Sequence, residues 1–378
     1  MITTVAQTYP TENNLYNNGF VHARVKEYIH EGIEANVYVL CNRSIKSDYS
    51  IEGVDVMAGN VSRLVDYVNN NKEVTCVCFH FLNPSMLKAI QHFRKNIKLV
   101  VFVHGNEALW WHERIFPDRF SGFIRTLKFI KYMIVNTYSI NYIRKRINNI
   151  DNSINIVCVS EWMKNVAVKN WKIDEKKVQA HIIPNIVNEN IFKYEKKDSS
   201  LRYNILLIRQ FTSGKYALDI AMDTIKKLEE YPEAEKIRIT VIGRGWLYKK
   251  YTDRIKNFRN VTLHETFLTQ SEIASKHKEN GIFICPTRQD AQGVSMCEAM
   301  SSGLIPISSC NTAIPEFLPK EFNLAFDTAV ESAERIIEII RNPDLFDQLS
   351  GSVSQFIQSK CNSQETVIKE IDLIKSMM

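Results

Sequence analysis

Short apolar runs alternate with longer amphipathic segments along the chain, and the whole alternation occurs twice. In the first half, residues 3–6, 35–40, 74–81, 98–103 and 154–159 are apolar runs of strand length and read as buried strands. Between the first two, Val21, Val25, Tyr28 and Ile29 share one helical face, which Gly32 ends. In the second half, residues 203–208, 237–242, 261–263, 282–285 and 304–308 repeat the scheme. Strands separated by helical segments form parallel βαβ units. The pattern therefore predicts an α/β protein of two doubly wound, Rossmann-like domains facing an interdomain cleft. The charged stretch EKKDSS, residues 195–200, marks the join, giving a first domain over 1–195 and a second over 196–363.

Composition narrows the class without changing this picture. The 378 residues suffice for two or three domains, and an apolar share of 45% with few Gly and Pro excludes a disordered chain. No apolar run approaches the roughly 20 residues that span a bilayer. The start, MITTVAQTYPTENN, lacks the basic and apolar parts of a signal peptide, so the expected location is the cytoplasm. Eight cysteines are scattered, with Cys41, Cys76, Cys78, Cys158 and Cys285 inside apolar runs and no paired CxxC spacing; they read as reduced core thiols, and no metal site is expected. The net charge of +6 comes with no nucleic-acid motif, so no nucleic-acid partner is expected.

Candidate chemistry concentrates where predicted strands end. PTRQDAQGVSMCEAMSSGLIP, residues 286–306, follows a strand, turns through Arg288 and Asp290, and enters a helix at Gly293. Such a turn leaves helix N-terminal amides free at the carboxyl edge of a sheet, which makes an anion site. Glu298 lies about one helical turn further on and can face the same side. In NILLIRQFTSGKYALDIAMDTIKKL, residues 204–228, Arg209 follows a strand and Lys215 stands at the mouth of the next helix, where two cations can neutralise a diphosphate. Gly243 and Gly245 end the next strand and allow close approach to the backbone; Tyr248 stands where a dinucleotide fingerprint needs its third glycine, which argues against a nicotinamide enzyme. His104 follows the strand of KLVVFVHGNEALWWHER, residues 98–114, which aims its imidazole at the cleft, and Glu107 accompanies it. A histidine in this position is as often a satisfied polar group in a turn.

In these motifs the chain resembles the retaining glycosyltransferases of family 4, which have the GT-B fold and a Glu-x7-Glu signature in the second domain; here the signature reads Asp-x7-Glu. The resemblance implies that Glu298 holds the ribose of a nucleotide sugar and that Asp290 sits near the donor sugar. The amides at Gln292, Gly293 and Val294 would bind sugar hydroxyls and pyrophosphate, with Arg288 and Gly243 also on the donor side. Arg209 and Lys215 match the family's cation pair, although Ile208 replaces the usual glycine and the spacing is one residue longer. His104, Asp290, Arg209 and Lys215 are the implied catalytic group. The loop at 266–270 would lie near the nucleotide. Asn18, Gly19, His22 and Glu107 are assigned to the acceptor side, with Arg24 beside them or merely on the first helix. Ser160 reads as a helix cap. The closing segment, 364–378, would cross back to the first domain.

The implied function is a hexosyltransferase that moves a sugar from a UDP- or GDP-linked donor to a glycan or lipid-linked acceptor with retention. It would need no metal or other cofactor and would serve bacterial surface polysaccharide synthesis. Two alternatives stay open: another GT-B enzyme, such as a nucleotide-sugar epimerase or an inverting transferase, and a non-catalytic nucleotide-sugar-binding subunit. One segment bears on the acceptor. Residues 114–146 carry eight Lys or Arg against one acid, and Phe120, Phe123, Leu127, Ile130 and Ile134 fall on one helical face bordered by Arg125 and Lys128. Such a face is more often core than membrane anchor, yet its basic flank suits peripheral contact with an anionic membrane surface at the inner leaflet.

Overall fold

The computed structural model describes residues 1–12, 17–41, 48–118, 120 and 122–377. The chain divides into two compact units, one of residues 1–114, 130–186 and 363–378, the other of 115–129 and 187–362. In the first unit the strands are β1 (Ile2–Ala6), β2 (Ala35–Leu40), β3 (Tyr49–Ile51), β4 (Val54–Gly59), β5 (Cys76–His80), β6 (Lys98–Val103), β7 (Ile154–Cys158) and β8 (Gln179–Ile182). They form one eight-stranded sheet of order β3-β4-β2-β1-β5-β6-β7-β8. All neighbours are parallel except the β3–β4 hairpin. β1 is central, with Val5 opposite Tyr38 on one side and Phe79 on the other. The helices are α1 (Gly19–His30), α2 (Val61–Asn70), α3 (Pro84–Ile90), α5 (Glu161–Trp171) and the greater part of α4 (Phe123–Arg144), whose residues 123–129 fall in the second unit.

In the second unit β9 (Asn204–Ile208), β10 (Arg238–Gly243), β11 (Val261–Glu265), β12 (Ile282–Ile284), β13 (Ile305–Ser309) and β14 (Ala325–Phe326) form a parallel sheet of order β11-β10-β9-β12-β13-β14. Its helices are α6 (Leu218–Leu228), α7 (Tyr248–Thr252), α8 (Gln270–Lys278), α9 (Val294–Ser301), α10 (Ala329–Arg341) and α11 (Pro343–Cys361), after which α12 (Ser363–Ser376) belongs to the first unit. Most of the apolar runs that predict strands are inner ones here, because parallel strands covered on both faces carry no polar alternation; the run at 261–263 is the edge strand β11. The hairpin strands β3 and β4 and the edge strands β8 and β14 had no counterpart in the sequence reading. β8, QAHI, is exposed at both ends and half-buried between, and too polar to stand out.

Local chemistry explains the ends of several elements. Ser160 caps α5, its hydroxyl accepting from the Met163 amide at 3.1 Å. Thr269 and Glu272 form a capping box on α8, and Thr328 and Glu331 do the same on α10. α12 is held against α1 by a buried cluster. Arg24 Nε donates to both oxygens of Glu370, at 2.7 and 2.9 Å, and the Tyr28 hydroxyl donates to the same carboxylate. Around it, Tyr28, Cys76, Cys78, Val100, Phe102, Val367 and Ile371 pack as one apolar core. Arg24 is therefore neither on the acceptor side nor a decoration of α1; it is a core cation, 1% exposed, with its guanidinium over the Phe102 ring at 4.7 Å. Removing one charge leaves the other buried and unpaired, which costs roughly 3–5 kcal/mol. Glu370→Ala should accordingly lower the thermal midpoint of the first unit markedly. The double change Arg24→Met with Glu370→Leu should restore most of the loss, as read by calorimetry.

Candidate functional site

In the second unit the carboxyl ends of β9 and β12 lie side by side, while the chain leaves β9 towards β10 and β12 towards β13. Crossovers that depart in opposite directions open a crevice at that point. Arg209, the first residue after β9, spans it. Its Nη1 donates to Ser295 Oγ in α9 at 2.7 Å and its Nη2 to the Cys285 carbonyl after β12 at 2.9 Å, while its buried Nε has no partner among the described residues. Lys215 sits in a single 3-10 turn, Gly214–Tyr216, with its ammonium 5.4 Å from the Tyr216 ring centre, and makes no ion pair among the described residues. The turn is fixed from below. The Arg288 amide donates to the Lys215 carbonyl at 2.8 Å, and the Arg288 guanidinium donates to the Gly214 carbonyl and to both oxygens of Asp219 in the first turn of α6. Arg288 thus braces the Lys215 turn, a different use from the donor contact expected of it.

The loop into α9 is shaped by Asp290. Its Oδ1 accepts from the Gly293 amide at 2.9 Å and from Gln292 at 3.3 Å, while its own amide donates to Thr312 Oγ1. Aspartate reaches its own backbone two and three residues on, which a glutamate does less readily. Two of the three amides expected to meet a ligand are therefore occupied by this carboxylate. Those of Val294 and Ser295, at the start of α9, have no backbone partner among the described residues. Gly293 caps the helix at φ +80, where an added Cβ would meet Ile314 Cδ1 at 2.8 Å. Gln292 turns its side chain inward, donating from Nε2 to Cys361 Sγ at 3.7 Å. Gly243 is explained by the chain itself: a Cβ there would lie 1.9 Å from the Arg209 carbonyl, so the close approach is that of the β9 loop and not of a ligand.

Glu298 stands one turn into α9, half-buried, and its carboxyl makes no hydrogen bond or ion pair among the described residues. Burial alone raises its pKa from 4.5 to about 8. An acid desolvated and left without a partner at the mouth of a helix is a recognisable candidate for binding hydroxyl groups.

In the first unit His104 follows β6 and packs its ring against Phe20, Phe81 and His80. His80, the last residue of β5, approaches it with Nδ1 2.9 Å from His104 Nε2. Burial, then the Arg24 charge, holds the His104 pKa well below the usual histidine range; for His80 the order is burial, His104 and Arg24. Both rings are neutral at pH 7, and His104 Nδ1 and His80 Nε2 remain buried without partners. Glu107 Oε1 accepts from the His104 amide at 2.7 Å and closes the loop; burial raises its pKa to about 7 against the pull of these amide bonds. Asn18 lies at φ 57 before α1, its side-chain amide donating to the Thr8 carbonyl and hydroxyl, and Gly19 opens the helix into free space. His22 is not at a surface: it is 8% exposed, with Nδ1 2.7 Å from the Tyr9 hydroxyl. Residues 14–16 of the loop read from Asn14 onward lie outside the described residues. Sequence reasoning missed His80, Asp219 and Ser295. For His80 the signal was there, a histidine closing an apolar run as His104 does.

Comparison with known proteins agrees with this architecture. Residues 202–342, within the second unit, match the family model described as glycosyl transferases group 1. No curated protein sequence matches the chain. Among solved structures, a glycosyltransferase from Rickettsia africae ESF-5 superposes with a TM-score of 0.69 at 14% identity, over 100% of this chain and 98% of that one. HepE of Anabaena, in complex with UDP and glucose, gives 0.66 at 12% identity, over 99% of both chains. A mutant of S. aureus TarM in complex with Fondaparinux, alpha-GlcNAc-glycerol and UDP gives 0.59 at 16% identity, over 84% of this chain but only 59% of that one. The fold is therefore that of the two-domain GT-B glycosyltransferases.

A carboxyl whose native pKa, about 8, exceeds its ordinary value of 4.5 binds more protons folded than unfolded, so stability falls as pH rises between those values. Glu298→Gln should therefore raise the thermal midpoint by a few degrees at pH 9 and leave it unchanged near pH 4.5. A series of thermal scans across that range checks this.

Proposed function

We propose that the chain transfers a hexose from a nucleotide-diphosphate sugar to a glycan or lipid-linked acceptor, with retention of configuration. The reading is carried by one observation: the unpaired, desolvated Glu298 lies one turn along the helix whose free Val294 and Ser295 amides open beside Arg209. A carboxylate accepts from the two hydroxyls of a ribose. Amides at a helix start, with Arg209 and Lys215, meet a diphosphate and stabilise it as it departs. Asp290, its Oδ1 committed to the loop, keeps Oδ2 for a sugar hydroxyl. His104 and Glu107 of the first unit are assigned to sugar and acceptor recognition, with His80 orienting the imidazole. HepE with UDP and glucose and TarM with UDP and alpha-GlcNAc-glycerol support a nucleotide sugar as the donor class. A role in bacterial surface polysaccharide synthesis fits an acceptor of this kind. The turn of Asp290 onto its own backbone favours one rival, a subunit that binds the donor and transfers nothing.

The test is a thermal-shift and calorimetric screen of UDP, GDP, ADP and CMP with their sugar conjugates, on the wild type and Glu298→Ala. One nucleotide class should stabilise the wild type, and the variant should bind it at least about tenfold more weakly, the loss expected for hydrogen bonds to a charged group. Absence of any shift overturns the reading. Slow release of sugar from the bound donor separates an enzyme from the binding subunit.

The raised pKa of Glu298 adds a second expectation. Its carboxylate form is the better acceptor for ribose hydroxyls, so affinity for the preferred nucleotide sugar should rise by about tenfold between pH 6.5 and 8.5. Titration calorimetry of Glu298→Gln over the same range should show no such rise.

A further inference from the structure

α4 is apolar on two opposite sides. One side faces inward and is buried, with Phe129, Ile140 and Ile143 at 3% exposure or less and Asn136 holding the Trp111 amide and the Leu109 carbonyl. The other side is the face for which the sequence left two readings open, core or membrane contact, and it is not core. Phe123, Leu127, Ile130, Ile134 and Tyr138 recur at spacings of three and four along it, and all are exposed, Ile134 by 67%. Ile124 and Val135 widen the stripe. Exposed apolar side chains scattered singly need no explanation, but a contiguous row along one helix does.

Two further features say what covers it. Residues 119–150 contain seven Lys or Arg and no Asp or Glu, and Lys128 and Lys131 stand exposed beside the stripe. Next to its C-terminal half a groove of about 630 Å³ is lined by Trp111, Met133, Ile134, Tyr138 and Tyr142 together with Lys145 and Arg146, the last with its guanidinium 3.7 Å from the Tyr142 ring centre. An apolar groove that includes two cations matches a hydrocarbon chain ending in a phosphate. We propose that α4 docks the protein on an anionic phospholipid bilayer, lying flat with its apolar stripe at acyl depth and its lysines among the headgroups. No helix among the described residues is long and apolar enough to cross a membrane, so α4 rests in the interface. A second copy of the chain is the other conceivable cover. It would bring two basic, acid-free faces together, whereas headgroup phosphates complement them. The inference does not depend on the donor assignment, since none of these residues belongs to that site.

The experiment is sedimentation of the full chain with vesicles of phosphatidylcholine alone or mixed with phosphatidylglycerol. The protein should pellet with the mixed vesicles and not with the neutral ones, and rising salt should release it. The double change Ile130→Glu with Ile134→Glu should lower the bound fraction at least tenfold while the thermal midpoint stays at the wild-type value. Lys128→Gln with Lys131→Gln should weaken binding by roughly thirtyfold, the scale of two basic side chains near an anionic surface. Failure to bind the mixed vesicles, or binding that the isoleucine changes leave intact, overturns the proposal. So does a dimer in sedimentation equilibrium that the same changes dissociate.

Discussion

The pairing of β9 with β12 is the constraint on which the second unit rests. Both strands run parallel at the centre of the sheet, so their carboxyl ends emerge together, yet the chain departs from them in opposite directions and no crossover helix fills the gap. What fills it is a side chain. Arg209 reaches from the end of β9 to the carbonyl after β12 and to the first turn of α9, tying three segments beside the free Val294 and Ser295 amides. The surrounding loops conform to this. Gly243 yields to the Arg209 carbonyl, Arg288 and Asp219 brace the Lys215 turn, and Asp290 folds its own loop into the start of α9. Cations, free amides and the desolvated Glu298 thereby share one edge of one sheet.

The first unit is organised by buried charge. Arg24 and Glu370 join α1 to α12 under the sheet, and the Arg24 charge together with burial keeps His80 and His104 neutral. A neutral histidine pair with one bond between them keeps one donor and one acceptor, at His104 Nδ1 and His80 Nε2, buried and without partners among the described residues.

How much of this was legible in the sequence follows from what kind of interaction each feature depends on. Most inner strands were legible because burial on both faces leaves few polar positions; β3, β4 and β8, on or near an edge, carry Tyr, Ser, Asp, Gln and His and lose that signature. Residues at strand ends were legible as candidates, since a parallel sheet delivers them to one edge. Their partners were not, because the Arg288–Asp219 and Arg24–Glu370 pairs join positions 69 and 346 residues apart. That distance separates a donor contact, the role expected of Arg288, from the brace it provides. α4 stayed ambiguous for a related reason. Its inward face includes Asn136, which hydropathy does not count as core although it satisfies two backbone groups there, so apolarity alone did not tell the buried face from the exposed one.

The central claim is that the edge formed by β9, β12 and α9 holds a nucleoside diphosphate. The most direct measurement is a crystal structure of the full chain with the nucleotide that stabilises it most. The account predicts ribose hydroxyls on Glu298 and phosphates against the Val294 and Ser295 amides, with Arg209 alongside. A nucleotide ordered elsewhere, or bound here with its ribose away from Glu298, would contradict it.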